Sequence, residues 1–317
     1  MGLIEQAAKR LEELRRTGIE LPDGLRIRGA TEEASDLRAP VRPAGPIPEG
    51  PRTVEPRALV PNRRSLRDAA LARETPKLVI DLLRLAQQGL ITPDAPHTGL
   101  AKEFRVIKRP VLENAQGKAG TRPKDGNLVM VTSAMAGEGK SFCAVNLAMS
   151  IAMELDSTVL LVDADVANPS VLELLGLPQG PGLLDVLTDP TRDLASVILR
   201  TNVDKLSVLP AGTRHERATE LLASEAMTQL VHEMASRYPD RIIVFDSPPL
   251  LLTTESPALA THMGQIVLVV EAERTTSSTV RQALATIERC PLVMTVLNKA
   301  RASGIGAYSG YGYRHAT

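Results

Sequence analysis

The spacing of apolar residues changes near Leu128, and this change predicts where the main folded domain begins. Beyond it, short continuous apolar runs alternate with stretches in which apolar residues recur every three or four positions. Continuous runs are typical of strands buried on both faces, and the other spacing is typical of helices. The alternation predicts an α/β domain with a doubly wound, mainly parallel sheet. The predicted strands cover 128–132, 159–162, 206–209, 242–245, 266–270 and 293–297, and the clearest helices cover 140–155, 218–236 and 277–289.

A helical and proline-rich region precedes this domain. Residues 3–16 place their apolar side chains on one helical face, which predicts a short amphipathic helix. Seven prolines lie within residues 40–61, a density that no packed element accepts, so a linker is predicted there. Helical spacing returns after the linker. The predicted segments are therefore 1–39, 40–75, 76–125, 126–300 and 301–317.

The composition narrows the class of protein. Hydrophobic residues make up 43% of the chain and charged residues 23%, with 37 basic and 37 acidic side chains, which suits a globular protein with a sizeable core. Aromatic residues make up only 2%, which argues against a nucleic-acid-binding surface built on base stacking. Two distant cysteines, and no apolar run near the ~20 residues of a membrane span, predict a soluble cytoplasmic protein. Recruitment to the inner face of the membrane is then expected to come through a partner.

A phosphate-binding loop follows the first predicted strand. The segment 134–141 reads AMAGEGKS and runs into a predicted helix, which is the setting that a P-loop requires. Gly137 and Gly139 allow backbone N–H groups to turn toward phosphate oxygens. Lys140 is expected to reach the outer phosphates, and the Ser141 hydroxyl is an expected ligand of Mg²⁺. The predicted ATP-contacting residues of this loop are Met135, Ala136, Gly137, Glu138, Gly139, Lys140, Ser141 and Phe142.

Acidic residues follow two of the other predicted strands. Asp163 and Asp165 come directly after the second strand, and Asp246 comes directly after the fourth. The carboxyl ends of parallel strands meet at one edge of a sheet, so these side chains are expected beside the P-loop. Asp246 and Asp163, together with Ser141, are predicted to hold Mg²⁺, while Lys140 and one aspartate of the 163/165 pair act on the phosphate and on the proton of an attacking hydroxyl. The alternative for each aspartate alone is a helix N-cap.

The tyrosines are concentrated at one end of the chain. Three of the four, Tyr308, Tyr311 and Tyr313, lie among glycines within the last ten residues. Glycine-rich segments are flexible, so these phenols are predicted to be exposed phosphoacceptors that can enter an active site. Each phosphorylation adds about −1.5 to −2 charges, which would make the cluster a graded electrostatic switch. The alternative is a glycine–tyrosine tail without a role.

Taken together, these motifs resemble those of the bacterial tyrosine kinases, or BY-kinases. The resemblance runs from about Leu78 to the end and rests on TSAMAGEGKS, VLLVDADVANPSV, GLLDVL, ATELLAS, IIVFDSPPLL and the terminal tyrosines. It implies a P-loop ATPase fold, ATP and Mg²⁺ as cofactors, and autophosphorylation of the tyrosine cluster. It also implies ring-like self-association through a helix before the kinase domain, so that the tail of one subunit enters the site of its neighbour. In related ATPases, an asparagine placed as Asn298 is here approaches the nucleotide base.

The N-terminal part resembles a narrower group, the exosortase A-associated tyrosine autokinases of exopolysaccharide systems. This likeness rests on LIEQAAKRLEELRR, GLITPD and EFRVIKRP. It implies three kinds of partner: further copies of the chain, a membrane polysaccharide co-polymerase that determines chain length, and a cognate tyrosine phosphatase. No nucleic acid is expected among the partners.

Three motifs depart from the family's patterns. The first glycine of the P-loop pattern GxxxxGK[ST] is Ala134 here. The acidic motif is commonly DxDxR, whereas Ala167 and Asn168 stand where a basic residue is expected. The oligomerisation motif is commonly ExxRxxR, whereas residues 102–108 read KEFRVIK, with the acidic residue displaced by one position.

The leading hypothesis is an ATP-dependent protein-tyrosine autokinase that regulates exopolysaccharide biosynthesis or export. The main alternative is a ParA/MinD-like switch ATPase, whose nucleotide state controls the binding of a partner or a surface. A further alternative is a scaffold that binds ATP without kinase activity. The tyrosine tail favours the first hypothesis, because a switch ATPase has no need of it. The absence of GxGxxG and of an HRD-type loop excludes a eukaryotic-type kinase fold.

Overall fold

A computed structural model gives the structure of residues 77–117, 123–237 and 241–300. These residues all belong to one of the two units into which the chain divides, Pro61–Thr317. The predicted N-terminal amphipathic helix, the proline-rich linker and the tyrosine tail lie outside the described residues. The predicted α/β domain and most of the helical region before it can be compared with the structure.

Seven strands of the described residues form one sheet. They are β1 (Leu128–Ser133), β2 (Thr158–Asp163), β3 (Leu199–Arg200), β4 (Leu206–Leu209), β5 (Arg241–Asp246), β6 (Gln265–Glu271) and β7 (Val293–Asn298). Their order in the sheet is β3-β4-β2-β5-β1-β6-β7, and every neighbouring pair is parallel except β3 and β4. The prediction of a mainly parallel, doubly wound sheet is confirmed. Strand β3 was not predicted, because two residues are too few to show a periodicity.

Helices cover the sheet between the strands, as parallel connections require. They are α1 (Leu82–Gln87), α2 (Gly99–Gln116), α3 (Lys140–Ala152), α4 (Val171–Leu175), α5 (Leu183–Thr188), α6 (Ala218–Leu222), α7 (Glu225–Arg237), α8 (Glu255–Ala260) and α9 (Ser277–Thr286), with a 3₁₀ turn at Leu194–Ser196. The single helix predicted over 218–236 is wrong: the Ser224 hydroxyl accepts a hydrogen bond from the N–H of Met227 at 3.2 Å and begins a new helix, α7. None of the described helices has the length and apolar character needed to traverse a membrane.

Two apolar cores lie on the two faces of the sheet. Successive residues of a strand point to opposite faces, so Val129 and Val131 of β1 pack in one core while Leu128 and Met130 pack in the other. Residues of α2 and α3 close the first core, and residues of α7, α8 and α9 close the second. Every residue of β1 is buried, which explains its continuous apolar run. Packing in the first core thus holds α3, and the loop before it, against the centre of the sheet.

Helix α2 carries the motif that was expected to mediate oligomerisation. Its first charged residues, Lys102 and Glu103, are exposed, whereas Lys108 is only 4% exposed. The Lys108 ammonium donates to the carbonyl oxygen of Ser150 at 2.7 Å and forms an ion pair with Glu154 at 2.6 Å. A cation at the C-terminal end of a helix satisfies carbonyl groups that have no partner within the helix. Lys108 therefore ties α2 to the C-terminal end of α3 within its own chain.

Removing the Lys108 ammonium should destabilise the fold. We expect Lys108→Met to lower the free energy of unfolding by about 1–3 kcal/mol, because the Ser150 carbonyl loses its buried donor. The matched control is Lys102→Met in the same helix, whose exposed side chain should matter by less than about 0.5 kcal/mol. Urea denaturation of both variants measures the difference. Equal stabilities would contradict the anchoring of α2 by Lys108.

Candidate active site

The loop between β1 and α3 is shaped to receive an anion. Gly137 and Gly139 have φ values of 85° and 96°, in the left-handed region that residues with a side chain rarely adopt. Gly139 immediately precedes α3, so the free N–H groups of the first helical turn lie beside the loop. A cleft of about 430 Å³ opens at this point. The loop and Ser141 line one part of it, and Arg84 of α1 and Glu173 of α4 line another.

The three aspartates predicted from the sequence lie together at this edge of the sheet. Asp163 ends β2 and Asp246 ends β5, and the parallel register of the two strands pairs them directly. Asp165 follows two residues after the end of β2. All three side chains are buried. They occupy the carboxyl edge of the sheet, where ligands of such folds bind.

The ammonium of Lys140 lies among these carboxylates. Its Nζ is 2.6 Å from Oδ2 of Asp165 and 3.9 Å from Oδ1 of Asp246, and it donates to the Ser141 hydroxyl at 3.2 Å. Burial by itself lowers the pKa of Lys140, but the charges of Asp246 and Asp165 outweigh it and raise the pKa above its ordinary value. Lys140 therefore stays protonated and offers a fixed positive charge to phosphate groups.

Asp246 is a buried carboxylate that forms a long ion pair with Lys140 but accepts no hydrogen bond from the described residues. Burial raises its pKa to about 6, although the nearby Lys140 ammonium and Ser141 hydroxyl act in the opposite direction. Burying polar atoms without partners is costly, so this arrangement is expected where a ligand supplies the missing partner.

Asp163 has one committed oxygen and one open oxygen. Its Oδ2 accepts hydrogen bonds from the N–H groups of Ser170 and Val171, both at 3.0 Å. Its Oδ1 is buried and has no partner among the described residues. Burial, followed by the charge of Asp246, raises the pKa of Asp163 to about 7. A carboxylate with an open oxygen and a pKa near neutrality suits proton transfer at physiological pH.

The carboxylate oxygens of Asp163 and Asp246 that accept no hydrogen bond within the described structure are possible ligands of Mg²⁺. In the described part of the chain, no three Asp, Glu, His or Cys side chains are close enough to bind an ion by themselves. Mg²⁺ usually keeps several waters and takes one or two carboxylates together with the phosphates of its substrate. The residues present therefore fit a Mg²⁺ ion that arrives with a nucleotide, and the oxygens of Asp246, Ser141 and Asp163 are the ligands available to it.

Known proteins share both the sequence and the fold of this domain. The sequence model of the AAA domain matches residues 126–299. The succinoglycan biosynthesis transport protein ExoP of Rhizobium meliloti is 30% identical over 246 residues, which are 75% of this chain and 30% of ExoP. The tyrosine-protein kinase CpsD of Streptococcus agalactiae is 31% identical over 198 residues, which are 60% of this chain and 84% of CpsD. The chain belongs to the bacterial tyrosine-protein kinase family.

Solved structures of the BY-kinase family agree with this assignment. The kinase domain of the Escherichia coli tyrosine kinase ETK matches with a TM-score of 0.56 at 25% identity, covering 69% of this chain and 83% of that domain. The chain spans 30% of the length of ExoP and 25% to 28% of the length of two other long relatives. The narrower likeness to the exosortase A-associated group stays a prediction.

Two departures from the BY-kinase motifs have a structural account. Ala134 is not among the residues of positive φ, so the first position of this loop needs no glycine. In the acidic motif, the N–H of Asn168 donates to Oδ1 of Asp165 at 3.2 Å, and the guanidinium of Arg214 donates to the carbonyl oxygen of Ala167 at 2.8 Å. A basic group therefore reaches this turn from the loop after β4 instead of from the motif itself.

The other predicted ATP-contacting residues lie in the loop and behind it. Met135 and Ala136 are exposed on the loop, and Phe142 lines the cleft from the first turn of α3. Asn298, for which a position near the nucleotide base was expected, donates from its side-chain amide to the carbonyl oxygen of Glu138 at 2.8 Å. The structure therefore brings Asn298 to the loop, on the side of its carbonyl groups.

Sequence reasoning missed the residues that hold the loops of the site in place. The carboxylate of Asp185 accepts the N–H groups of Gly182 at 2.7 Å and Thr213 at 2.9 Å, which ties two loops together. The ammonium of Lys299 donates to the carbonyl oxygen of Gly137 at 2.7 Å. The sequence offered one signal, the position of Asp185 inside the GLLDVL motif. A contact between residues far apart in the chain leaves no local pattern.

Replacing the buried carboxylate of Asp246 by an amide should stabilise the nucleotide-free protein. Because folding raises this pKa to about 6, ionised Asp246 destabilises the folded state above that pH, and the penalty vanishes as the group becomes protonated at lower pH. We expect Asp246→Asn to unfold at a higher temperature than the wild type near pH 8, with the difference shrinking toward pH 5. Thermal unfolding at several pH values measures this.

The matched control is Asp185→Asn, for which we expect a change in unfolding temperature of the opposite sign. The N–H groups of Thr213 and Gly182 outweigh burial and lower the pKa of Asp185, so its ionised form stabilises the fold at neutral pH and this contribution is lost in acid. Asp185→Asn should therefore unfold at a lower temperature than the wild type near pH 8. A lower unfolding temperature for Asp246→Asn at that pH would contradict the penalty at Asp246.

Proposed function

We propose that this protein is an ATP-dependent protein-tyrosine autokinase, in which one copy phosphorylates the tyrosine cluster of another. The observation that carries the proposal is a phosphate loop whose lysine lies among three buried carboxylates, in a chain of the bacterial tyrosine-protein kinase family. The tail supplies the acceptors Tyr308, Tyr311 and Tyr313. An autokinase needs both the nucleotide site and the tyrosine tail, whereas a switch ATPase needs only the nucleotide site.

The loop and the start of α3 would bind the phosphates of ATP. The N–H groups that follow Gly137 and Gly139, together with the Lys140 ammonium, form the cationic side of the site. Ser141 and Asp246 would hold Mg²⁺, which when bound neutralises charge on the phosphates, and the open oxygen of Asp163 is left for proton transfer. Most of the rate enhancement of such a site comes from positioning and from charge stabilisation.

Asp163 is the group best suited to accept the proton of the tyrosine. Its Oδ1 has no partner within the described residues, and its pKa is raised to about 7. Asp165, the other candidate, is engaged with Lys140 at 2.6 Å. The phenolic proton passes to Asp163, the phenolic oxygen bonds to the γ-phosphorus, and the bond from that phosphorus to the bridging oxygen of ADP breaks. The products are phosphotyrosine and ADP.

We further propose that this activity regulates exopolysaccharide biosynthesis or export. The name of ExoP refers to succinoglycan biosynthesis and transport, and this supports the proposal. The proposed partners are further copies of the chain, a membrane polysaccharide co-polymerase that recruits the kinase to the inner face of the membrane, and a tyrosine phosphatase that resets the tail. Graded charge on the tail, about −1.5 to −2 for each phosphate, would then control self-association.

Incubation with ATP and Mg²⁺ should place phosphate on Tyr308, Tyr311 and Tyr313, as mapped by mass spectrometry. We expect Lys140→Met to lower the rate at least about 100-fold, because it removes the cation that contacts the phosphates. Transfer between copies is tested by mixing a donor that carries phenylalanine at the three tail tyrosines with Lys140→Met as acceptor. Phosphotyrosine on the acceptor is the expected result.

Two outcomes would overturn this proposal. ATP hydrolysis without tail phosphotyrosine, even with the cytoplasmic part of the co-polymerase added, would favour the switch ATPase. Binding of ATP with neither hydrolysis nor phosphotyrosine would favour the scaffold. Each outcome would leave the nucleotide site in place and remove the kinase assignment.

A further inference from the structure

Two consecutive residues at the end of β7 bond to the carbonyl groups of the phosphate loop. Asn298, the last residue of β7, donates from its side-chain amide to the carbonyl oxygen of Glu138 at 2.8 Å. Lys299, the next residue, donates from its ammonium to the carbonyl oxygen of Gly137 at 2.7 Å. The partners are separated by 160 and 162 positions in the chain. Residues close to the C-terminal end of the domain sequence therefore bind the loop.

These contacts fix the N–H groups that the loop presents to a ligand. No cis peptide bond occurs in the described residues, and in a planar trans peptide the C=O and the following N–H point in opposite directions. Holding the carbonyl of Gly137 therefore directs the N–H of Glu138 the other way, and holding the carbonyl of Glu138 does the same for the N–H of Gly139. A donor on the carbonyl also polarises the peptide and strengthens the bond that its N–H can make.

A second contact holds the Lys299 side chain. Its ammonium forms an ion pair with Glu271 at 3.2 Å, and Glu271 pairs in register with Asn298 across β6 and β7. The φ of Lys299 is 58°, in the left-handed region that residues with a side chain adopt less often.

The loop leaves no space between itself and this support. A Cβ at Gly139 would collide with the side-chain amide of Asn298. On the same side, the carboxylate of Glu138 accepts hydrogen bonds from the N–H of Met135 at 2.7 Å and from the hydroxyl of Thr275, which lies before α9. Glu138 is 2% exposed. Asn298 therefore packs directly against the loop, and a displacement of the end of β7 would move the loop.

We infer that Lys299 and Asn298 are positioning residues that hold the phosphate loop ready for nucleotide. By linkage, a nucleotide that favours this conformation of the loop also favours the Lys299 contact, and loss of that contact weakens nucleotide binding. The inference rests on the proposed function only in that the loop binds nucleotide.

The first test measures nucleotide affinity, which needs no kinase activity. Lys299→Met removes the ammonium and keeps the length of the side chain, and we expect ATP and ADP to bind about tenfold more weakly because a charged hydrogen bond is lost. Lys299→Arg keeps the charge and should restore most of the affinity. Binding is followed by titration of the full chain with a fluorescent ADP in the presence of Mg²⁺.

The matched control is Arg274→Met. The Arg274 side chain is 74% exposed and forms an ion pair with the same Glu271 at 3.5 Å. Its removal should leave nucleotide affinity unchanged. Wild-type affinity in Lys299→Met, or an equal loss in Arg274→Met, would overturn the inference. Failure of the wild type to bind nucleotide would instead overturn the nucleotide site itself.

A second test separates support of the loop from recognition of the base. If Asn298 acts through the carbonyl of Glu138, Asn298→Ala should weaken the binding of ATP and the binding of inorganic tripolyphosphate by the same factor. If Asn298 acts on adenine, only ATP should bind more weakly, and that result would overturn its role as a positioning residue. Competition against the fluorescent ADP measures both ligands on the same sample.

Discussion

The active edge of this domain depends on one ammonium group held among three carboxylates. Lys140 touches Asp165 and lies 3.9 Å from Asp246, while Asp163 completes the cluster on the neighbouring strand. Burial raises the pKa values of Asp163 and Asp246, the charge of Asp246 raises that of Asp163 further, and the single positive charge of Lys140 does not offset these effects. A site with an excess of buried negative charge is prepared for a cation that arrives together with a phosphate chain.

The buried carboxylates link protonation of the site to the binding of a cation. Carboxylates whose pKa values are about 7 and about 6 hold part of a proton near neutral pH, and a divalent cation favours their ionised forms. Filling the site therefore competes with protonation. The fold tolerates the cost of the empty cluster because the two apolar cores on the faces of the sheet supply the stability.

The sequence predicted those features that follow from local pattern and from one rule of parallel sheets. Continuous apolar runs gave the buried strands, GEGKS gave the phosphate loop, and the position of Asp163 and Asp246 after two strands placed them at one edge. The same reasoning failed where a local detail changed the outcome. The cap at Ser224 divides a helix whose periodicity runs through it, and β3 is too short to have a pattern.

Contacts between distant parts of the chain lay beyond the sequence. Asn298 was noticed because it ends a strand, but its partner Glu138 lies 160 residues earlier. Lys108 was treated as part of an oligomerisation motif, and the structure buries it against α3 of its own chain. In both cases the residue type indicated a polar contact, but the partner of that contact could not be predicted. Only the fold decides which parts of the chain meet.

The departures from the family's motifs separate geometric requirements from chemical ones. The first position of the loop needs only a permitted backbone conformation, and alanine provides it at Ala134. In the acidic motif, Arg214 reaches the turn from another loop and donates to the carbonyl oxygen of Ala167. In the proposed function the ammonium of Lys140, the hydroxyl of Ser141 and the carboxylate of Asp246 each supply a chemical group, and a backbone conformation cannot replace them. A chain can therefore change the geometric positions of its motifs while the chemistry of the site stays the same.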